Sequence, residues 1–88
     1  MKRSVEDKIF KNVDYTSEPF MAADYDTCRF EGCNFSEIKI GDIIFIDCIF
    51  SDCNFSMTKF SNTFFRDVVF KNCKMLGLRF DNCNPLMQ

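Results

Sequence analysis

The residues of this chain best suited to chemistry are its six cysteines, and four of them stand in two phrases, CRFEGCNF at residues 28–35 and CIFSDCNF at residues 48–55. Thiolates bind soft metals, attack electrophiles and form disulfides, so paired C-x4-C spacings first raise a metal or cluster site. A structural zinc site needs four convergent ligands, and histidine is absent from the chain. The same absence removes histidine-based acid–base catalysis and every Ser-His or Cys-His arrangement. The competing reading treats free cysteine as a small hydrophobe, among the most buried of residue types.

Position decides between these readings. All six cysteines, Cys28, Cys33, Cys48, Cys53, Cys73 and Cys83, share one phase of a five-residue cycle. Chance alone would do this about once in three thousand trials. Two residues after each of the first five cysteines comes a large apolar residue. That phase runs unbroken through Phe10, Tyr15, Phe20, Tyr25, Phe30, Phe35, Ile40, Phe45, Phe50, Phe55, Phe60, Phe65, Phe70, Met75 and Phe80, and ends at Pro85. The cysteine phase is otherwise filled by small or β-branched residues such as Thr58, Thr63 and Val68. Ser is frequent one position after the large residue, and Asp, Asn or Gly at the next, as in Gly32, Asp47, Asp52 and Asn62. These types suit a tight corner.

Neither regular element has this period. A helix would scatter the phenylalanines around its axis, and a strand would alternate their faces because five is odd. A chain that turns after every fifth residue closes a square after four units, and successive squares stack at the strand spacing of about 4.8 Å. Inward residues then form columns with a period of 20: Phe10, Phe30, Phe50, Phe70; Tyr15, Phe35, Phe55, Met75; Phe20, Ile40, Phe60, Phe80; and Tyr25, Phe45, Phe65. Stacked coils share one continuous interior, which lets a single short domain hold together. The cysteines sit on adjacent walls between aromatic rings, so burial is expected to raise their pKa and leave them inert. Cysteines one coil apart lie within the Cα range of a disulfide, yet parallel in-register side chains fit the bridge dihedral badly. Catalytic, cofactor and metal residues are therefore expected to be none.

The units CRFEG, CNFSE, CIFSD, CNFSM and CKMLG resemble the pentapeptide-repeat family. The resemblance implies an all-β fold, a right-handed quadrilateral β-helix, here of about three to four coils. It is strong from Ala23 to Cys83 and weaker from Phe10 to Phe20, where Lys8 and Glu18 occupy the small inward phase. The expected organisation is a lead-in with an irregular first coil over 1–22, a solenoid over 23–84 and a tail over 85–88. KIFKNVDYTSEPF, leading into DYDTCRFEGCNF, is similar to the opening of the quinolone-resistance group. Members of that group mimic duplex DNA and bind type II topoisomerases. Mimicry wants an acidic surface, and here Asp42 is followed in its column by Asn62 and Asn82, so no functional residue carries over.

With the interior assigned to structure, function falls to the outside. One outward column reads Asp24, Ile44, Phe64, Asn84, with Ile46 on the same wall, and another reads Arg29, Ile49, Val69. Ile44, Ile46, Ile49, Phe64 and Val69 are expected to form an exposed apolar strip, the candidate interaction surface. A third column stacks Lys39, Lys59 and Arg79, a basic ladder neutralised by Asp42 and Asp81. The repeat rhythm also leaves a last hydrophobic layer of Phe65, Phe70, Met75 and Phe80, to be covered by Pro85 and Leu86 or by another copy. The resulting expectation is a non-enzymatic interaction or scaffold module with an unknown protein partner, or a homo-oligomer through the apolar wall or the uncapped end. The charged N-terminus shows no secretory signal and no run is long enough to span a bilayer, which points to the cytoplasm and no membrane partner. Charges are mixed along the chain, and no basic run suggests direct nucleic-acid binding.

Overall fold

A chain that buries one large side chain every five residues must change direction after each, and the backbone shows how. The computed structural model describes residues 3–84. Residues numbered two past an inward side chain adopt left-handed φ from Asp7 through Gly32 to Asn82, except Ser17 and Ala22 in the first coil. Most are Asn or Asp, whose short polar side chains tolerate this region. Thr27, Glu37 and Met57 hold it without that advantage.

The corners differ from the expected two-residue form on three sides of the square. There the residue after the large side chain stays extended, and a single left-handed residue turns the chain. Only at 35–38, 55–58 and 75–78 do two residues make the turn, closed by bonds such as Thr58 N–H to Phe55 O at 3.1 Å. At the first two, the Asn34 and Asn54 side-chain oxygens accept the Ser36 and Ser56 N–H groups, whereas the third follows Lys74, which has no acceptor to offer. The asparagines thus reinforce a turn that a backbone bond closes at all three.

Four walls result. Wall 1 stacks β1 (Arg3–Glu6), β3 (Ala23–Asp26), β6 (Ile44–Ile46) and β9 (Phe64–Arg66). Wall 2 stacks β2 (Ile9–Lys11), β4 (Arg29–Glu31), β7 (Ile49–Ser51) and β10 (Val69–Lys71). Wall 3 has only single parallel bridges joining Asp14, Asn34, Asn54 and Lys74. Wall 4 stacks β5 (Lys39–Gly41), β8 (Lys59–Ser61) and β11 (Arg79–Asp81). All pairings are parallel with a shift of 20 residues, so the fold is a quadrilateral β-solenoid of about four coils.

The inward columns form as the spacing predicts. Phe10, Phe30, Phe50 and Phe70 stack with centroids 4.8, 4.8 and 5.1 Å apart. Phe35 and Phe55 are 4.7 Å apart and nearly coplanar in tilt, at 3°. Neighbouring columns meet edge to face, as Phe50 and Phe55 do at 77°. Strand spacing thus fixes the stacking and the square fixes the edges. Each such pair adds about 0.5–1.5 kcal/mol beyond burial itself.

The first coil keeps its in-register strands on walls 1 and 2 but has none between Lys11 and Ala23. Phe20 there leans on Tyr15 at 5.0 Å and Tyr25 at 5.1 Å, and the Tyr25 hydroxyl donates to Met21 O at 2.6 Å. At the other end Phe65 is buried, whereas Met75 and Phe80 are exposed. Asn84 presents its side-chain amide to Phe65 as a strand would, accepting from the N–H at 2.8 Å and donating to the carbonyl at 2.7 Å. The expected tail at 85–88, with Pro85 and Leu86, lies outside the described residues, as do Met1 and Lys2.

Candidate interaction surface

The interior uses its cysteines in a way that size alone does not explain. Each thiol donates to the carbonyl of the large residue 23 positions earlier: Cys28 to Val5, Cys33 to Phe10, Cys48 to Tyr25, Cys53 to Phe30, Cys73 to Phe50 and Cys83 to Phe60. Thr58 does the same to Phe35 O at 2.7 Å. The inward small position is therefore a donor position as well as a narrow one, and the repetition of Cys and Thr there is the available signal.

Burial pushes the Cys48 thiol up to about 11 and raises Cys73 as well. Cys33 and Cys53 share a hydrogen bond that eases the first proton off Cys33 and holds the second on Cys53, where burial adds to the effect. Burial likewise lifts Tyr25 to about 12. All six cysteines are free. Among the described residues no three cysteines or carboxylates converge as metal ligands.

On the outside, the five strip residues fall on two adjoining walls. Ile44 pairs in register with Phe64 on wall 1, and Ile49 with Val69 on wall 2. Ile46 lies beside Arg66, and Asp47 turns the corner between Ile46 and Ile49. Phe64 and Val69 are 45% and 44% exposed, while the three isoleucines are half-buried. The isoleucines are shaded because coils above and below stand only one strand spacing away.

Lys39, Lys59 and Arg79 stack in register on wall 4. Asp81 answers two of them, with its Oδ2 3.2 Å from Lys59 Nζ and 3.6 Å from Arg79. Four further exposed apolar groups were not expected from the sequence: Ile9, Met21, Met57 and Leu76. Met57 and Leu76 replace corner-type residues, which is the signal they offer. Met57 lies across Gly77, where an added Cβ would run into its sulfur. Beside the corner of walls 2 and 3, Lys11, Asn12, Glu31, Gly32 and Asp52 line a shallow, open depression of about 260 Å³.

Comparison with known proteins agrees with this architecture. The family description "Pentapeptide repeat region" matches residues 21–85. No curated protein matches the chain. Among solved structures, the chain is similar to a trypsin-treated variant of QnrB1, described as a plasmid-mediated fluoroquinolone resistance protein. The TM-score is 0.64 at 19% identity, over 91% of this chain and 49% of that one. The chain thus spans about half the length of that protein, and the likeness is one of fold. Among the described residues no helix is long and apolar enough to cross a membrane.

Proposed function

This chain belongs to the pentapeptide-repeat family, and we propose that it is a non-enzymatic protein-interaction module working through the apolar strip on walls 1 and 2. The observation that carries this reading is the pair Phe64 and Val69. They are large apolar side chains at outward positions, nearly half exposed, each stacked in register on an isoleucine. A contiguous apolar patch on an otherwise polar wall marks an interface, whereas scattered apolar residues do not. The interior leaves little for catalysis, since the thiols are engaged with carbonyls and most are buried. Free thiols throughout fit a reducing compartment such as the cytoplasm.

The test compares wild type with an Ile44→Asp/Phe64→Asp variant in pull-downs from the cells that make the protein, alongside sedimentation of the purified chain. Loss of specific partners or of self-association in the variant, with circular dichroism unchanged, supports the reading. Identical partners and identical oligomeric state for both proteins contradict it.

A second reading is a DNA mimic acting on a type II topoisomerase. Its support is the fold-level likeness to a fluoroquinolone resistance protein, together with the carboxylates of Glu6 and Asp26, stacked in register on wall 1. A gyrase supercoiling assay separates the two. An effect of the chain on supercoiling that survives the Ile44→Asp/Phe64→Asp change favours mimicry over the strip.

A further inference from the structure

The charges of this molecule are unevenly placed although its net charge is only -2. Wall 4 carries Lys39, Lys59 and Arg79, with Asp81 drawn to two of them. Carboxylates gather instead at the corner of walls 1 and 2. Glu6 stacks on Asp26 and Asp26 on Ile46, while Asp7, Asp47 and Asp67 occupy left-handed corner positions. Asp47 stands between Ile46 and Ile49, and Asp67 between Arg66 and Val69, so the acids are interleaved with the apolar strip. The cations here are Lys8, Arg29, Arg66 and Lys71, and Arg29 is drawn to Glu31 at 3.7 Å.

We propose that this corner docks a cationic amphipathic segment of another protein. The segment's apolar residues would cover Phe64, Val69 and the isoleucines, and its Lys or Arg side chains would meet Asp26, Asp47 and Asp67. The proposal rests on the strip being an interaction surface and adds the chemistry of the partner. A second copy is the poorer occupant: a two-fold contact centred on the strip brings Asp47 and Asp67 against the same carboxylates of its mate. Like charges facing one another across an interface are strongly disfavoured, while opposite charges set both specificity and rate. An anionic lipid surface is disfavoured for the same reason.

The experiment titrates the purified full chain with three synthetic peptides, followed by calorimetry and amide chemical shifts. One peptide alternates Leu and Lys, one replaces Lys by Glu, and one replaces Leu by Ser. The Leu/Lys peptide is expected to bind at least tenfold more tightly than either control and to shift residues 44–49 and 64–69. Its affinity should fall several-fold as salt is raised, because exposed charges are screened. Asp47→Asn/Asp67→Asn removes the charges with a side chain that also tolerates left-handed φ, and should weaken binding about tenfold. Equal binding of the Leu/Glu peptide, no binding of the Leu/Lys peptide, or no effect of the Asn variant overturns the proposal. A dimer that the Leu/Lys peptide fails to dissociate assigns the strip to a second copy and also overturns it. If Ile44→Asp/Phe64→Asp abolishes association while Asp47→Asn/Asp67→Asn leaves it intact, the interaction surface stands and the cationic partner falls.

Discussion

The middle coils and the last coil obey the same five-residue rule, yet they differ in everything that depends on having neighbours on both sides. Phe50 lies between Phe30 and Phe70 with no exposure, while Phe80 stacks on Phe60 alone and is 39% exposed. Cys48 and Cys53 are buried, while Cys73 and Cys83 in the same phase are half-buried. A solenoid residue is thus stabilised by its position in the stack as much as by its type.

The sharpest way to break this comparison is to truncate one ring in each region. Phe50→Ala should destabilise the protein by about 3–5 kcal/mol, as expected for a fully buried aromatic, and Phe80→Ala by about 1 kcal/mol. Urea unfolding of both variants measures the difference, and equal losses would remove the distinction between coils.

Next in size is the donor role of the small inward position. Thr58→Val removes the shorter of the two bonds to the buried Phe35 carbonyl, which keeps only the 3.4 Å bond from Ile38 N–H, and should cost about 1 kcal/mol. Thr58→Cys places there the group that serves the same purpose at six other positions, and should retain most of the stability.

Alkaline pH tests burial through the thiols. A thiol whose folded pKa lies above its unfolded value keeps its proton in the folded state after the unfolded chain has lost it. The stability tied to Cys48 is therefore intact below about pH 9 and lost as pH rises towards 11. Unfolding midpoints measured from pH 8 to 11 should fall, and a Cys48→Ala variant should show a shallower fall. At neutral pH, an aromatic disulfide reagent should label Cys73 and Cys83 before the four buried thiols.

The smallest effect sits at the end of wall 1. Asn84→Ala removes both bonds to the Phe65 backbone and should cost about 1 kcal/mol, with faster hydrogen exchange at the Phe65 amide. Asn84→Asp keeps the acceptor and loses the donor, so its effect should be intermediate.

Much of this was legible in the sequence because one period governs it. The phase of Phe10 to Phe80 predicts the columns and their order, and the step of 20 predicts the pairings Ile44 with Phe64 and Lys39 with Lys59. What was not legible depends on hydrogen bonds between coils. Cys33 reads as a small side chain, and nothing local reveals that its thiol reaches Phe10 O. Asn34 reads as a polar wall residue, yet its side chain accepts the Ser36 N–H and reinforces a turn. Asn84 stands in an outward column, and its pairing with Phe65 becomes visible only once wall 1 is built. On the candidate surface, composition identified the five apolar residues, but their shading did not follow from it. Phe64 and Val69 stand out, and the isoleucines beneath them are half covered by the coils on either side.

The central claim is that this solenoid works through the corner of walls 1 and 2, and site-specific photocrosslinking tests it most directly. A photoreactive phenylalanine at position 64, compared with one at position 36 on the side of Asn34, should give discrete crosslinked products at 64 and none at 36. Products of equal yield at both positions, or none at 64, would contradict the account.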